Sequence, residues 1–317
     1  MASGILIVRH PEFQRDFYDE VLEWARSKAP QCLDHLDIRD LPLGAVDWPS
    51  VRLLVPWLQD PVEAWSTPLY DYLVSMGAHC DAVGIPVVNR VEHLARAGKT
   101  AGAQAIASAG LRAPRTVRIT DPAAFRRDFG GLSFPLFVRE DWGHGWPMTR
   151  ANTPAEARAL PLEDMVFPAA SEVIDVRDAG DGLHYKYRYL ACGDTGVSHH
   201  VQASEDWVTR GADRVANDTT RARELSYIAR PDVHHDRFQA ARRALGLDLV
   251  AFDYGYTREG EVVVWEANPF PHIQFAKTTT SYRNRAIERS AAAMLGMYLE
   301  YARLPVPVTV AAAIAYG

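Results

Sequence analysis

The chain has 317 residues, 48% of them hydrophobic and 23% charged, with a formal net charge of −6. These are ordinary globular values, and the length suits about two domains, each with room for a core. The acidic balance argues against broad nucleic-acid binding and is compatible with an enzyme that offsets phosphate charge with a metal.

Gly4-Ile5-Leu6-Ile7-Val8 predicts a buried strand that ends at Arg9-His10, too short for the core of a secretion signal. Residues 12–29 carry Phe13, Phe17, Val21, Leu22, Trp24 and Ala25 at helical spacing. Leu36-Asp37-Ile38 and residues 51–58 (VRLLVPWL) predict two further strands, and residues 67–83 a helix with Leu69, Leu73, Met76 and Cys80 on one face. Residues 84–89 follow as turn and strand. This alternation predicts a small parallel α/β domain over residues 1–88.

After Asn89 the texture changes. Residues 91–109 are alanine-rich and predict one helix ending at Gly110; Thr120-Asp121-Pro122 opens another after a strand at 115–120. Residues 134–140 (FPLFVRE) predict a strand, 140–148 a loop with two glycines, 154–160 a short helix, and 165–176 an extended segment. The alternating run HYKYRYLAC (184–192) predicts a strand with a partner at 197–202. Two helical stretches around Pro231 lead to a hairpin, 247–257 with 261–268, and a helix at 282–303. The apolar tail, 308–316, follows Pro305 and Pro307 and is read as a docked terminal segment. No apolar run approaches the roughly 18 residues a membrane span needs.

The hairpin carries the chemistry. Glu266 and Asn268 end a run of β-formers two positions apart, so they share a face. Asp253 on the preceding strand can lie beside them. Two carboxylates and an amide oxygen suit a hard cation such as Mg²⁺. The alternatives are a strand end whose polar residues meet water, and an Asp253 that caps a turn or pairs with an arginine. Cys32, Cys80 and Cys192 are far apart and odd in number, which predicts a reduced, cytoplasmic protein. His199-His200 and His234-His235 do not predict zinc, because adjacent strand residues face opposite sides and no cysteine lies at metal spacing.

At LGLDLVAFDYGYTREGEVVVWEANPFP (245–271) the chain resembles the ATP-grasp enzymes of the glutathione-synthetase-like branch. The resemblance covers about residues 85–275. It implies an α/β (α+β) ATP-grasp fold with subdomains at 89–168 and 169–317 behind the N-terminal domain. It implies Mg²⁺ ligands at Asp253, Glu266 and Asn268. GIPVVNRVEHLARAGKTAGAQAIASAGLRAPRT (84–116) resembles the entry segment, with Lys99 at the phosphate lysine. FPLFVRE resembles the strand of the second phosphate lysine, here Arg139, a departure that keeps the charge but changes its geometry. Gly143-His144-Gly145 resembles the mobile glycine loop over the phosphates, bulkier than usual through His144 and Trp146. PAASEVIDV (168–176) fits the adenine linker, with Glu172 and Asp175 as candidates near adenine and ribose. Arg188 resembles an arginine that faces the reacting acyl phosphate; Lys186 stands where the family commonly has an acid.

The resemblance therefore implies an ATP- and Mg²⁺-dependent carboxylate–amine ligase working through an acyl phosphate and releasing ADP and phosphate. Its partners would be a small-molecule or peptide carboxylate and an amine; a homodimer is compatible. A kinase of a small-molecule hydroxyl on the same fold, or a non-catalytic nucleotide-binding protein, would share these residues. Arg210, in the insert 203–220, reads as a surface arginine or one reaching substrate.

Overall fold

A computed structural model describes residues 4–142, 148–207, 214–276 and 280–316. Three strands, β1 (Ile5–Arg9), β2 (Leu36–Asp40) and β3 (Leu53–Trp57), form a parallel sheet in the order β2-β1-β3. Helices α1 (Asp19–Lys28), the short α2 (Val62–Trp65) and α3 (Thr67–Val83) complete this unit. β1 and β3 read as apolar runs because both faces are covered, whereas β2, at the edge, alternates Leu36 and Ile38 with Asp37 and Arg39. Ile5, Ile7, Leu53 and Val55 belong to one core, and Leu6, Val8 and Leu54 to another. Gly84 ends α3 at φ +74°, a left-handed position that suits a residue without a Cβ.

The chain then passes through α4 (Val91–Leu94), a 3₁₀ turn at Ala95–Ala97, and α5 (Lys99–Ser108). A four-stranded antiparallel sheet follows, ordered β4-β7-β5-β6, from β4 (Thr116–Arg118), β5 (Leu136–Glu140), β6 (Thr149–Ala151) and β7 (Pro168–Glu172). Helices α6 (Pro122–Asp128) and α7 (Pro154–Arg158) cover its back. Asp121 caps α6 through the Ala124 N–H, as its Asp-Pro start predicts. This sheet keeps its own core of Phe125, Phe129, Leu136, Val138 and their neighbours.

The second antiparallel sheet is ordered β11-β10-β8-β9, from β8 (His184–Cys192), β9 (Thr195–Ser204), β10 (Leu249–Tyr256) and β11 (Val262–Asn268). Helices α8 (Asp218–Ile228) and α9 (His235–Leu245) lie on it. Helix α10 (Asn284–Tyr301) is buried along most of its length and shares a core with the N-terminal sheet. Trp57 Nε1 donates to Tyr298 Oη at 3.0 Å, tying that sheet to α10. The last helix, α11 (Val308–Ile314), packs on α10, and its Val310 is fully buried. No helix among the described residues is long and apolar enough to cross a membrane.

Two predicted helices differ from the structure. Residues 12–18 form turns, and helix begins only at Asp19. Phe17 stacks on Phe270 at 4.3 Å, and Phe13 is exposed, so the apolar spacing serves a tertiary contact and a surface position. Residues 91–109 are broken at Gly98, whose ψ of 157° is extended. The predicted strand at 84–89 reduces to a parallel bridge between Val87 and Leu54. The three cysteines are buried and unpaired.

Candidate active site

A cleft of about 770 Å³ opens between the two antiparallel sheets. Register builds its two walls, because residues directly opposite in a ladder share a face. On one sheet Thr116, Ser171, Phe137 and Arg150 line up across β4, β7, β5 and β6, and all four line the cleft. Arg139 follows Phe137 two positions on, on the same face. On the other sheet Glu266, Asp253, Arg188 and His200 line up across β11, β10, β8 and β9. The first three line the cleft, as does Lys186, two residues before Arg188.

Lys99 enters from the first turn of α5. Its side chain is 2% exposed, and its Nζ lies 2.9 Å from Glu266 Oε2. Burial, then the neighbouring Arg139 guanidinium, lowers the Lys99 pKa to about 8, and Glu266 offsets only part of this. Gly98 makes the placement possible. A Cβ there would sit 2.9 Å from the Asp141 carbonyl oxygen and 3.0 Å from that of Ala95. The Asp141 carboxylate accepts from the Thr100 N–H at 2.9 Å and from Arg118 Nε at 2.8 Å, so it caps the start of α5.

Arg139 pairs loosely with Glu266 at 4.0 Å, and burial lowers its pKa against the pull of Glu266 and Asp141. The Nε–H groups of Arg139 and Arg150 are buried and have no acceptor among the described residues. Both guanidiniums line the cleft, which is the condition of donors awaiting an anion. Arg188 grips Asp253 with two parallel bonds, Nε to Oδ1 at 2.6 Å and Nη2 to Oδ2 at 2.8 Å, and Lys186 Nζ lies 3.2 Å from Oδ2. Burial pushes the Asp253 pKa up, but Arg188 and Lys186 outweigh it and hold the carboxyl well below its usual range.

Asn268 lies on the face of Glu266 but deeper. It is 2% exposed, and its Oδ1 accepts the Phe270 N–H at 2.9 Å, outside the residues lining the cleft. Glu172 accepts the Ser133 N–H at 2.8 Å, and Arg177 holds Asp175 at a pKa of about 2 through a side-chain hydrogen bond. Both carboxylates line the cleft beside Val173, Ile174 and Val176, the extended stretch after β7. Gly143 and Gly145, with His144 and Trp146, and Arg210 lie outside the described residues.

His199 and His200 are buried on β9. Burial lowers both pKa values, His199 to about 3, and His199 Nδ1 meets Ser290 Oγ at 2.7 Å. Among the described residues no three His, Cys, Asp or Glu side chains converge as a metal site. Asp253 and Glu266, paired in register, are the carboxylates that could hold a cation at the cleft, with the Asn268 amide oxygen on the same strand face but turned to the Phe270 N–H. That hard-oxygen donor set fits Mg²⁺, which keeps few protein ligands and takes the rest from phosphate and water.

Sequence reasoning missed the contacts that four residues make here. Asp141 caps α5 from a strand end 41 residues on. Asn89 accepts from the N–H groups of Asp248 and Leu249 and donates to the carbonyls of Leu249 and Pro269, joining the entry segment to both hairpin strands. Trp207 packs on Phe137 at 4.5 Å within the cleft, and Arg150 belongs to its wall. Alternation with Phe137 and Arg139 was the one signal for this wall; the other contacts are long-range.

No family model and no curated protein sequence matches the chain. Solved structures do. The VanG D-Ala:D-Ser ligase of Enterococcus faecalis is 14% identical, with a TM-score of 0.57 over 95% of this chain and 99% of that one. This is the ATP-grasp fold. The D-alanine–D-alanine ligase of Bacillus anthracis, solved with ATP, is 12% identical with a TM-score of 0.57 over 94% and 96% of the two chains. The ATP-grasp ligase PsnB, solved with a precursor variant, Mg and ADP, is 13% identical with a TM-score of 0.55 over 94% and 98%. In the ATP-grasp frame the cleft of this chain lies between the fold's two antiparallel sheets.

Proposed function

We propose that this protein is an ATP- and Mg²⁺-dependent carboxylate–amine ligase. The observation that carries the reading is the cleft itself. It sets Lys99, Arg139, Arg150, Lys186 and Arg188 along walls that also carry Asp253 and Glu266, with two buried guanidinium N–H groups left without acceptors among the described residues. Such a set is excessive for a structural pocket and suits a polyphosphate. The similar structures solved with ATP, and with Mg and ADP, support the nucleotide class.

In this reading Lys99 and Arg139 hold nucleotide phosphates, and Val173–Val176 with Glu172 and Asp175 hold the base and ribose. Asp253, Glu266 and Asn268 would hold Mg²⁺, which when bound would neutralise charge on the phosphates. A substrate carboxylate oxygen attacks the γ-phosphorus, the bond to ADP breaks, and an acyl phosphate forms. Arg188 stabilises the charge on the transferred group while Asp253 fixes its guanidinium plane. An amine then attacks the acyl carbon, phosphate leaves, and the nitrogen loses a proton.

The test is ATP hydrolysis with hydroxylamine as nucleophile. A screened carboxylate that yields a hydroxamate with stoichiometric ADP supports the ligase. A stable phosphorylated hydroxyl product, with no hydroxamate, would replace it with the kinase reading.

A further inference from the structure

Among the described residues, six lysine and arginine side chains line the cleft, and all but one stand beside a carboxylate. Lys99 and Arg139 lie 2.9 and 4.0 Å from Glu266, Lys186 and Arg188 lie 3.2 and 2.6 Å from Asp253, and Arg177 lies 2.7 Å from Asp175. Arg150 is the exception. Among the described residues no Asp or Glu oxygen stands within 4.0 Å of its guanidinium, and its Nε–H is buried without an acceptor. Its charge is therefore unspent within the fold. A buried donor without a partner is costly, and on the wall of an open cleft it marks the place where an anion completes it.

Register says which anion. Three rows follow one another along this wall. In the first, the Val173 N–H donates to the Pro135 carbonyl oxygen at 3.0 Å, where β7 runs out into the extended stretch 173–176. In the second, Ser171, Phe137 and Arg150 lie side by side on β7, β5 and β6. In the third, Arg139 lies opposite Ala169 and reaches toward Glu266 and Lys99. Successive rows on one face are two residues apart, about 6.8 Å along a strand. In the ligase reading, on which this inference rests, the first row holds the base and the third the outer phosphates. Between a base and its outer phosphates lie the ribose and the α-phosphate, and of these only the α-phosphate is an anion. The planar fork of an arginine suits phosphate oxygens.

We propose that Arg150 holds the α-phosphate of the bound nucleotide. The chain then recognises a nucleoside 5′-phosphate through a charge of its own, separate from Lys99 and Arg139, which meet the outer phosphates.

Calorimetric titration of the full chain with adenosine, AMP and ADP, at one MgCl₂ concentration and matched ionic strength, tests it. The wild type is expected to bind AMP about tenfold or more tighter than adenosine, the worth of a charge-assisted contact, and ADP tighter still. In Arg150→Met that preference for AMP over adenosine should vanish while adenosine affinity holds, and Arg150→Lys should restore part of it. Arg139→Met should do the reverse, keeping the preference for AMP over adenosine and losing that for ADP over AMP. Without nucleotide, Arg150→Met should unfold at or above the wild-type midpoint, because the Nε–H it removes has no partner to lose. A lowered midpoint together with weaker adenosine binding would mark Arg150 as structural and overturn the proposal. A preference for AMP that survives in Arg150→Met, with ADP still bound, would overturn it alone. A wild type that binds no ADP would overturn it together with the ligase reading.

Discussion

Asp253→Asn is the perturbation whose consequence can be worked furthest. The wild-type carboxylate is 7% exposed and takes two parallel bonds from Arg188, itself 14% exposed, with Lys186 at 3.2 Å. The amide keeps the shape and one acceptor but removes the charge, stranding two partly buried cations. Breaking a buried pair from one side costs about 3–5 kcal/mol. At about 2.1 cal/mol/K per residue, unfolding 317 residues carries an entropy of ~0.7 kcal/mol/K, so the midpoint should fall by about 4–8 °C. Thermal unfolding with EDTA and no nucleotide measures this, and a double-mutant cycle with Arg188→Met isolates the pair. The pH dependence has a defined sign. The folded Asp253 pKa is depressed, so the unfolded chain binds its proton more readily, and the stabilisation is present above the ordinary aspartate value of about 3.9 and lost as pH falls below it. The wild type should therefore lose stability more steeply than Asp253→Asn below that pH. A loss under about 1 kcal/mol, the worth of an exposed ion pair, would refute this reasoning.

Four further outcomes are expected. Gly98→Ala forces a Cβ against two backbone carbonyls that cannot yield, so it should displace the start of α5 and cost about 1–3 kcal/mol, with weaker nucleotide binding; calorimetry and the thermal midpoint report both. Asn89→Ala removes four hydrogen bonds, three of them buried, and should destabilise by about 3 kcal/mol or more in denaturant titration, although the residue touches no substrate in this account. Lys99, with its pKa lowered to about 8, is charged below that pH and loses its charge above it, so ATP affinity should be level at lower pH and fall as pH rises past it. Because Arg139 is the second cause of that lowering, Arg139→Met should move the fall to higher pH while weakening binding overall.

Local signals carried the fold where pattern and context agreed. Helix α3 and strand β8 occupy the residues their periodicity predicts, and the hairpin from Leu249 to Asn268 follows its turn signals. The sequence failed where a distant group decides. Gly98 breaks an alanine-rich helix because Asp141, far along the chain, caps the shorter helix that starts at Lys99. Phe17 mimics a helical face, yet its ring is spent on Phe270. Glu266 and Asp253 were legible as a pair because one hairpin joins them, and the alternative in which Asp253 meets an arginine is also present, through Arg188. That bond, like the arginine wall of Arg139 and Arg150, depends on how three strands come into register, which no local pattern encodes.

The central claim is that the cleft binds Mg²⁺ and ATP through Glu266 and its neighbours. The most direct measurement is the thermal midpoint of the wild type and of Glu266→Gln, each with ATP alone and with Mg²⁺ and ATP. A ligand at about 100 times its Kd stabilises a fold by roughly 2.7 kcal/mol, or about 4 °C at this length. The account predicts that the wild type shifts by that order only when Mg²⁺ accompanies ATP, and that Glu266→Gln shifts less. Equal midpoints with and without millimolar Mg²⁺ and ATP in the wild type would contradict it.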